Sequence, residues 1–181
     1  LEASEIEVRL GATWFDKKYI EQFMYETFET PRYLRGQIEI SYVPYTAEWQ
    51  VSRKSMVRYN DVAAFTTYGT DRASAYRLLE DALNLRDIRI YDTIEDADGR
   101  ERRVLNAKET TLAAQKQQLI RDAFKDWIWK DPERRETLVR QYNEEMNSTR
   151  PREYDGSHIV FSGMNPEITL REHQKNAIAH V

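Results

Sequence analysis

The segment Ile88-Arg89-Ile90-Tyr91-Asp92-Thr93-Ile94 runs into Glu95-Asp96-Ala97-Asp98-Gly99-Arg100, and the chain returns through Arg103-Val104-Leu105. Both flanks have the apolar, β-branched character of strands, and Asp98-Gly99 supplies the positive φ that a hairpin turn wants. This predicts a hairpin. From Ala107 to about Lys130 the spacing becomes helical, with Leu112, Leu119, Ile120, Phe124, Trp127 and Ile128 as the expected apolar stripe. Asp131-Pro132 breaks that helix and starts another, because Pro suits the first helical position after an Asp cap. Leu138, Val139, Tyr142 and Met146 form the expected face of the second helix.

Upstream of the hairpin, the alternation in residues 5–10 predicts a half-buried strand with Ile6, Val8 and Leu10 inward. Asp16 then caps a helix, with Phe15 and Ile20 placed to form a hydrophobic staple. Ile20, Phe23, Met24 and Phe28 repeat along its buried face, and Thr30-Pro31 ends it. Residues 37–43 alternate again, and 49–57 is a weaker strand candidate. Thr70 is the expected cap of a helix reaching about Asn84, with Tyr76, Leu79 and Leu83 inward. These elements predict an α+β fold: a short mixed or antiparallel sheet covered by about four helices.

After residue 147 the composition shifts to Asn, Ser, Thr, Arg, Pro and Gly, interrupted by Ile159-Val160-Phe161. This reads as a linker containing a short strand or docking segment. Thr169-Leu170-Arg171-Glu172 has the form of a capping box opening a last helix. The expected organisation is a main domain over 1–150 and a linker plus helix over 151–181.

The 181 residues suit one domain with an appendage, and 40% hydrophobic content with 11 Tyr, 6 Phe and 4 Trp is enough to build a core. Zero Cys removes disulfides, thiol nucleophiles and thiolate zinc sites. No apolar run is long enough to span a bilayer, and no signal peptide is visible, so a cytoplasmic location without membrane contact is expected. A formal charge of −4 with pI near 5.5 confines any polyanion binding to a local patch. The absence of Met at Leu1 and the helical end at His180-Val181 suggest a piece of a larger polypeptide.

No catalytic centre is legible. His173 and His180 share a helix face without further ligands, and Asp92, Asp96, Asp98 and Glu101 crowd a hairpin turn. No nucleophile elbow and no GxxxxGK[ST] phosphate loop occurs. One basic-aromatic stretch stands out, Trp49-Gln50-Val51-Ser52-Arg53-Lys54-Ser55-Met56-Val57-Arg58-Tyr59. Arg53, Lys54 and Arg58 suit phosphates, and Trp49 and Tyr59 suit base stacking. An edge strand kept soluble by its cations accounts for the same pattern.

The tail carries a resemblance. Tyr154-Asp155-Gly156-Ser157-His158, then Gly163-Met164-Asn165-Pro166, then Leu170-Arg171-Glu172-His173-Gln174-Lys175-Asn176-Ala177-Ile178 resembles the start of the first motor domain in Swi/Snf-type, superfamily-two helicase-like proteins of bacterial mobile elements and phages. Such proteins are often fused to an adenine-specific DNA methyltransferase. Leu10-Gly11-Ala12-Thr13-Trp14, Tyr68-Gly69-Thr70-Asp71-Arg72, Val104-Leu105-Asn106-Ala107-Lys108-Glu109-Thr110 and Tyr142-Asn143 resemble the region before that motor. The resemblance implies that Gln174 belongs to the adenine-reading Q motif and that Arg171 braces it. A Gln amide matches adenine's N6 donor and N7 acceptor. The phosphate loop and the acidic metal motif of the family are not in this sequence, so ATP and magnesium are expected to be bound only by the full-length protein. The expected role is therefore a non-catalytic accessory domain handling DNA or coupling it to the motor, with DNA and the rest of its own polypeptide as partners. A structural or protein-interaction spacer without nucleic-acid contact is the alternative.

Overall fold

The computed structural model describes residues 1–148 and 169–179. The chain divides into two units, Leu1–Glu145 and Met146–Val181. In the first, the described elements are α1 (Lys17–Thr27), β1 (Ile40–Val43), β2 (Glu48–Val51), α2 (Ala75–Leu83), β3 (Tyr91–Glu95), β4 (Glu101–Leu105), α3 (Ala107–Lys130) and α4 (Pro132–Glu145). The class is α+β. The strands form two separate antiparallel pairs, β1 with β2 and β3 with β4, instead of one sheet.

Local chemistry sets most boundaries. The Asp16 carboxylate accepts the Lys18 N–H at 2.9 Å and starts α1. Phe15 and Ile20 are both buried, as a staple requires. The end of α1 folds back with Glu29 left-handed at φ 51° while the Thr30 N–H reaches the Tyr25 carbonyl at 3.0 Å, closing a Schellman turn. In the hairpin, Tyr91 pairs with Leu105 and Glu95 with Glu101, and Gly99 takes φ 76° in the turn. Asn106 caps α3 by accepting the Glu109 N–H at 3.0 Å.

The core lies where α3 packs against α1, α2 and α4. Phe124 is its centre, fully buried, with ring centroids 5.1 Å from Phe23 and 6.1 Å from Phe15. α2 also packs on β2, and α1 on β1, so each half of the β1–β2 pair is backed by a helix. Tyr76 and Thr30, both buried, share a 2.6 Å hydrogen bond between their hydroxyls.

Several expectations need correction. Residues 6–10 do alternate buried and exposed, but among the described residues they pair with no strand, and they follow a 3₁₀ turn at Ala3–Glu5. Alternation records a one-sided core contact and carries no information about a ladder partner. The strand expected over 49–57 stops at Val51, because Arg53 turns left-handed at φ 46° and a 3₁₀ turn follows at Lys54–Met56. α2 starts at Ala75 behind Ser74, and Thr70 instead closes a tight turn, its hydroxyl accepting the N–H groups of Arg72 and Ala73.

The stripe of α3 is also shifted. Leu112 and Leu119 are 40% and 44% exposed, while Ala113 and Gln117 are buried beside Ile120, Phe124 and Ile128. Gln117 earns this place through hydrogen bonds from its amide to the carbonyls of Leu78 (3.4 Å) and Arg86 (3.0 Å). Trp127 is only half-buried, and Met146 is exposed.

In the second unit, α5 spans Glu172–Ala179. Thr169 is too far upstream to cap it. Arg171 precedes the first helical residue, and the Gln174 amide oxygen accepts the Arg171 N–H at 2.9 Å. This is the reach-back half of a capping box, moved two residues from the expected position. The Ile159-Val160-Phe161 segment, His158, His180 and Val181 lie outside the described residues.

Candidate functional site

The basic-aromatic stretch 49–59 does not survive as one surface. Trp49 is buried, 4% exposed, and packs on Tyr42 with centroids 4.8 Å apart. It cannot stack on a base. Lys54 places its ammonium 2.7 Å from both Glu80 carboxylate oxygens, and Arg53 reaches the Gln37 side-chain oxygen at 3.4 Å. Arg58 is exposed. Tyr59 is 82% exposed and lies against Phe65, centroids 5.0 Å apart and rings 32° from parallel.

Tyr59 and Phe65 border a groove of about 220 Å³ together with Lys54, Val57, Asp71, Arg72, Ala73 and Arg77. Arg72 and Arg77 are also walls of a second concavity, about 160 Å³, completed by Arg89, Ile90, Tyr91 and Arg103. Four guanidinium groups thus line one small depression in a protein of formal charge −4. Each arrives from a different element. The Thr70 turn projects Arg72, and Arg77 lies on the exposed side of α2. Arg89 points outward because its neighbours Ile88 and Ile90 are buried. Arg103 sits on β4 opposite Thr93, and its guanidinium lies 4.6 Å from the Tyr91 ring centroid.

Among the described residues no carboxylate lines this depression, but Asp92 is paired with Arg72, and Asp71 lines the adjoining groove. Arg72 bonds the Asp92 carboxylate at 2.8 Å and the Tyr91 carbonyl at 2.8 Å. That hydrogen bond, and after it one from the Asn106 amide, hold the Asp92 carboxyl below the usual carboxylate range. Asp92 therefore stays ionised and fixes Arg72 in place. Arg77 donates to the Arg72 carbonyl at 3.3 Å. Arg89 makes no hydrogen bond or ion pair among the described residues. Fixed and free guanidinium donors on one concave face suit an anion with several oxygens, phosphate above all.

A larger groove, about 360 Å³, carries Arg9, Arg121 and Lys125 but also Glu7, with apolar walls at Leu10, Ala82 and Leu85. Its lining thus carries both signs of charge. Among the described residues, no three His, Asp or Glu side chains gather as a metal site would require.

Sequence reading missed Arg72, Arg77, Arg89 and Arg103 because they are spread over more than thirty positions with acidic residues between them. The alternation around Arg89 was the available signal, since it already points that side chain outward.

Gln174 and Arg171 lie in the second unit, both exposed, and neither lines a groove described above. The Gln174 amide oxygen is engaged at the helix start, by the Arg171 N–H. Among the described residues, no helix is long and apolar enough to cross a membrane.

No curated protein and no solved structure matches the chain significantly. A family model covering residues 9–148 does match, which takes in the whole arginine-lined surface, and the chain accordingly belongs to the family described as a domain of unknown function, DUF8437.

Proposed function

We propose that the Leu1–Glu145 unit is a nucleic-acid-binding accessory domain, and that it handles DNA for a Swi/Snf-like helicase or translocase. The observation that carries this reading is the convergence of Arg72, Arg77, Arg89 and Arg103 on one concavity. Polyanion binding is dominated by such phosphate contacts, and an acidic protein needs them concentrated in one place. The resemblance of the tail and of the upstream segments to helicase-like proteins is what suggests a helicase-like parent. In this reading ATP and magnesium belong to the motor, and this unit binds without catalysing.

A spacer or protein-interaction role is the second reading. It draws on Ile94 and Leu105, exposed by 48% and 49% on the β3–β4 hairpin. Fluorescence anisotropy with labelled DNA at low salt separates the two. The double variant Arg89→Glu/Arg103→Glu is expected to bind at least about tenfold more weakly than the wild type, as two reversed phosphate contacts require. An Arg53→Ala/Arg58→Ala variant is expected to lose less. Equal binding by the wild type and the reversal variant would remove this site, and no binding by either would leave the spacer.

A further inference from the structure

The two concavities share Arg72 and Arg77, yet their remaining walls differ in chemistry. One is a set of guanidinium groups. The other adds buried apolar walls at Val57 and Ala73, 6% and 2% exposed, the aromatic rings of Tyr59 and Phe65, and polar walls at Lys54, Ser55, Asp71 and Ser74. We propose that this second groove seats an unpaired base on the Tyr59 ring, so that the nucleic acid held by the arginines is single-stranded. The proposal rests on the phosphate-binding reading above and adds the form of the ligand.

Tyr59 has the properties of a stacking platform. One ring face rests on Phe65, which is itself half-buried and bonded through its backbone to the Asp61 carbonyl at 3.0 Å. The rest of the side chain is open, at 82% exposure. A large aromatic left this open gains little for folding, whereas an incoming base would cover it. The groove's 220 Å³ is below the roughly 300–1,000 Å³ of pockets that enclose whole small molecules. It is suited to part of a ligand, with the rest of the strand running over the arginines.

Arg72 and Arg77 line both the groove that holds Tyr59 and the second depression. In the proposed arrangement a phosphate on either one belongs to the nucleotide whose base lies on Tyr59, and the next phosphates reach Arg89 and Arg103. Duplex DNA hides its base faces in its own stack. It can use the arginines but not the platform. Stacking on an aromatic side chain is worth about five- to a hundredfold in affinity per base and tolerates any base.

The test is a pair of titrations at fixed salt, one with a short oligothymidylate and one with a blunt mixed-sequence duplex. Wild-type protein is expected to favour the single strand at least about fivefold. Tyr59→Ala should lose most of that preference while keeping its duplex affinity, and Tyr59→Trp should restore it. A thermal melt of each variant checks folding, which an exposed ring should scarcely affect. Equal affinity for both nucleic acids, with Tyr59→Ala unchanged, would overturn the base seat and leave the arginine surface standing. Duplex preferred over the single strand would overturn it as well. Binding of neither would overturn both.

Discussion

Lys54 and Glu80 form a bidentate ion pair, the ammonium lying 2.7 Å from each carboxylate oxygen. Glu80 Oε2 also accepts the Val51 N–H at 2.8 Å, so this carboxylate ties the end of β2 to α2. The lysine most conspicuous in the basic stretch is therefore committed to the fold. Glu80→Ala would leave a half-buried N–H and a cation without partners, costing about 2–3 kcal/mol. A urea melt checks this. A loss below about 0.5 kcal/mol would mean the tie is not made in solution.

Phe124 and Trp127 separate by burial. Phe124→Ala should cost about 3–5 kcal/mol, because Phe124 is fully enclosed between Phe15 and Phe23. Trp127 is half-buried, donates to Glu26 Oε2 at 2.7 Å and lies 3.6 Å from the Arg134 guanidinium. Trp127→Ala should cost about 1–3 kcal/mol, less than the phenylalanine. Chemical melts of both variants giving the reverse order would contradict the packing.

Gly11 has φ 86°, and a Cβ built there would lie 2.2 Å from the Leu83 carbonyl oxygen. Backbone, not a flexible side chain, blocks the substitution. Gly11→Ala should lower stability by about 2–4 kcal/mol. Calorimetry showing an unchanged melting temperature would mean this turn and the end of α2 are not in contact.

Burial pushes the Tyr76 phenol up to about 12, partly offset by its hydrogen bond with Thr30. An unfolded tyrosine titrates near about 10, so below that pH both states are protonated and stability is unaffected by this group. Between about 10 and 12 the unfolded chain loses its proton first, and stability falls by about 2–3 kcal/mol. Denaturant melts at pH 9 and pH 11.5 should show this loss in the wild type. Tyr76→Phe, which has no proton to lose, should start less stable and show a correspondingly smaller drop. An equal drop in both proteins would assign it to other groups.

Short-range chemistry was the legible part of this fold. Asp16, Asp98-Gly99 and Asp131-Pro132 each act within a few residues, and the structure uses each as read. What depends on distant neighbours was not legible. Gln117 is buried because carbonyls about thirty and forty positions away accept its amide, and no periodicity rule places a polar residue there. Trp49 was read as a surface aromatic, but α2 and the β1–β2 pair enclose it, with Asn84 bonded to its backbone at 2.8 Å. Tyr59 stands out in the sequence because it lies inside one basic stretch. The arginine cluster escaped because the turn before α2, α2 itself, Arg89 and β4 assemble it from separate segments.

The most direct test of the arginine surface is the salt dependence of single-stranded DNA binding. A plot of log affinity against log salt should have a slope of roughly −2 to −3, the value for three or four phosphates. Arg89→Ala and Arg103→Ala should each reduce that slope by about 0.7. The control Arg9→Ala/Lys125→Ala, on the mixed-charge groove, should leave it unchanged. A slope insensitive to Arg89 and Arg103 but reduced by the control substitutions would contradict the account.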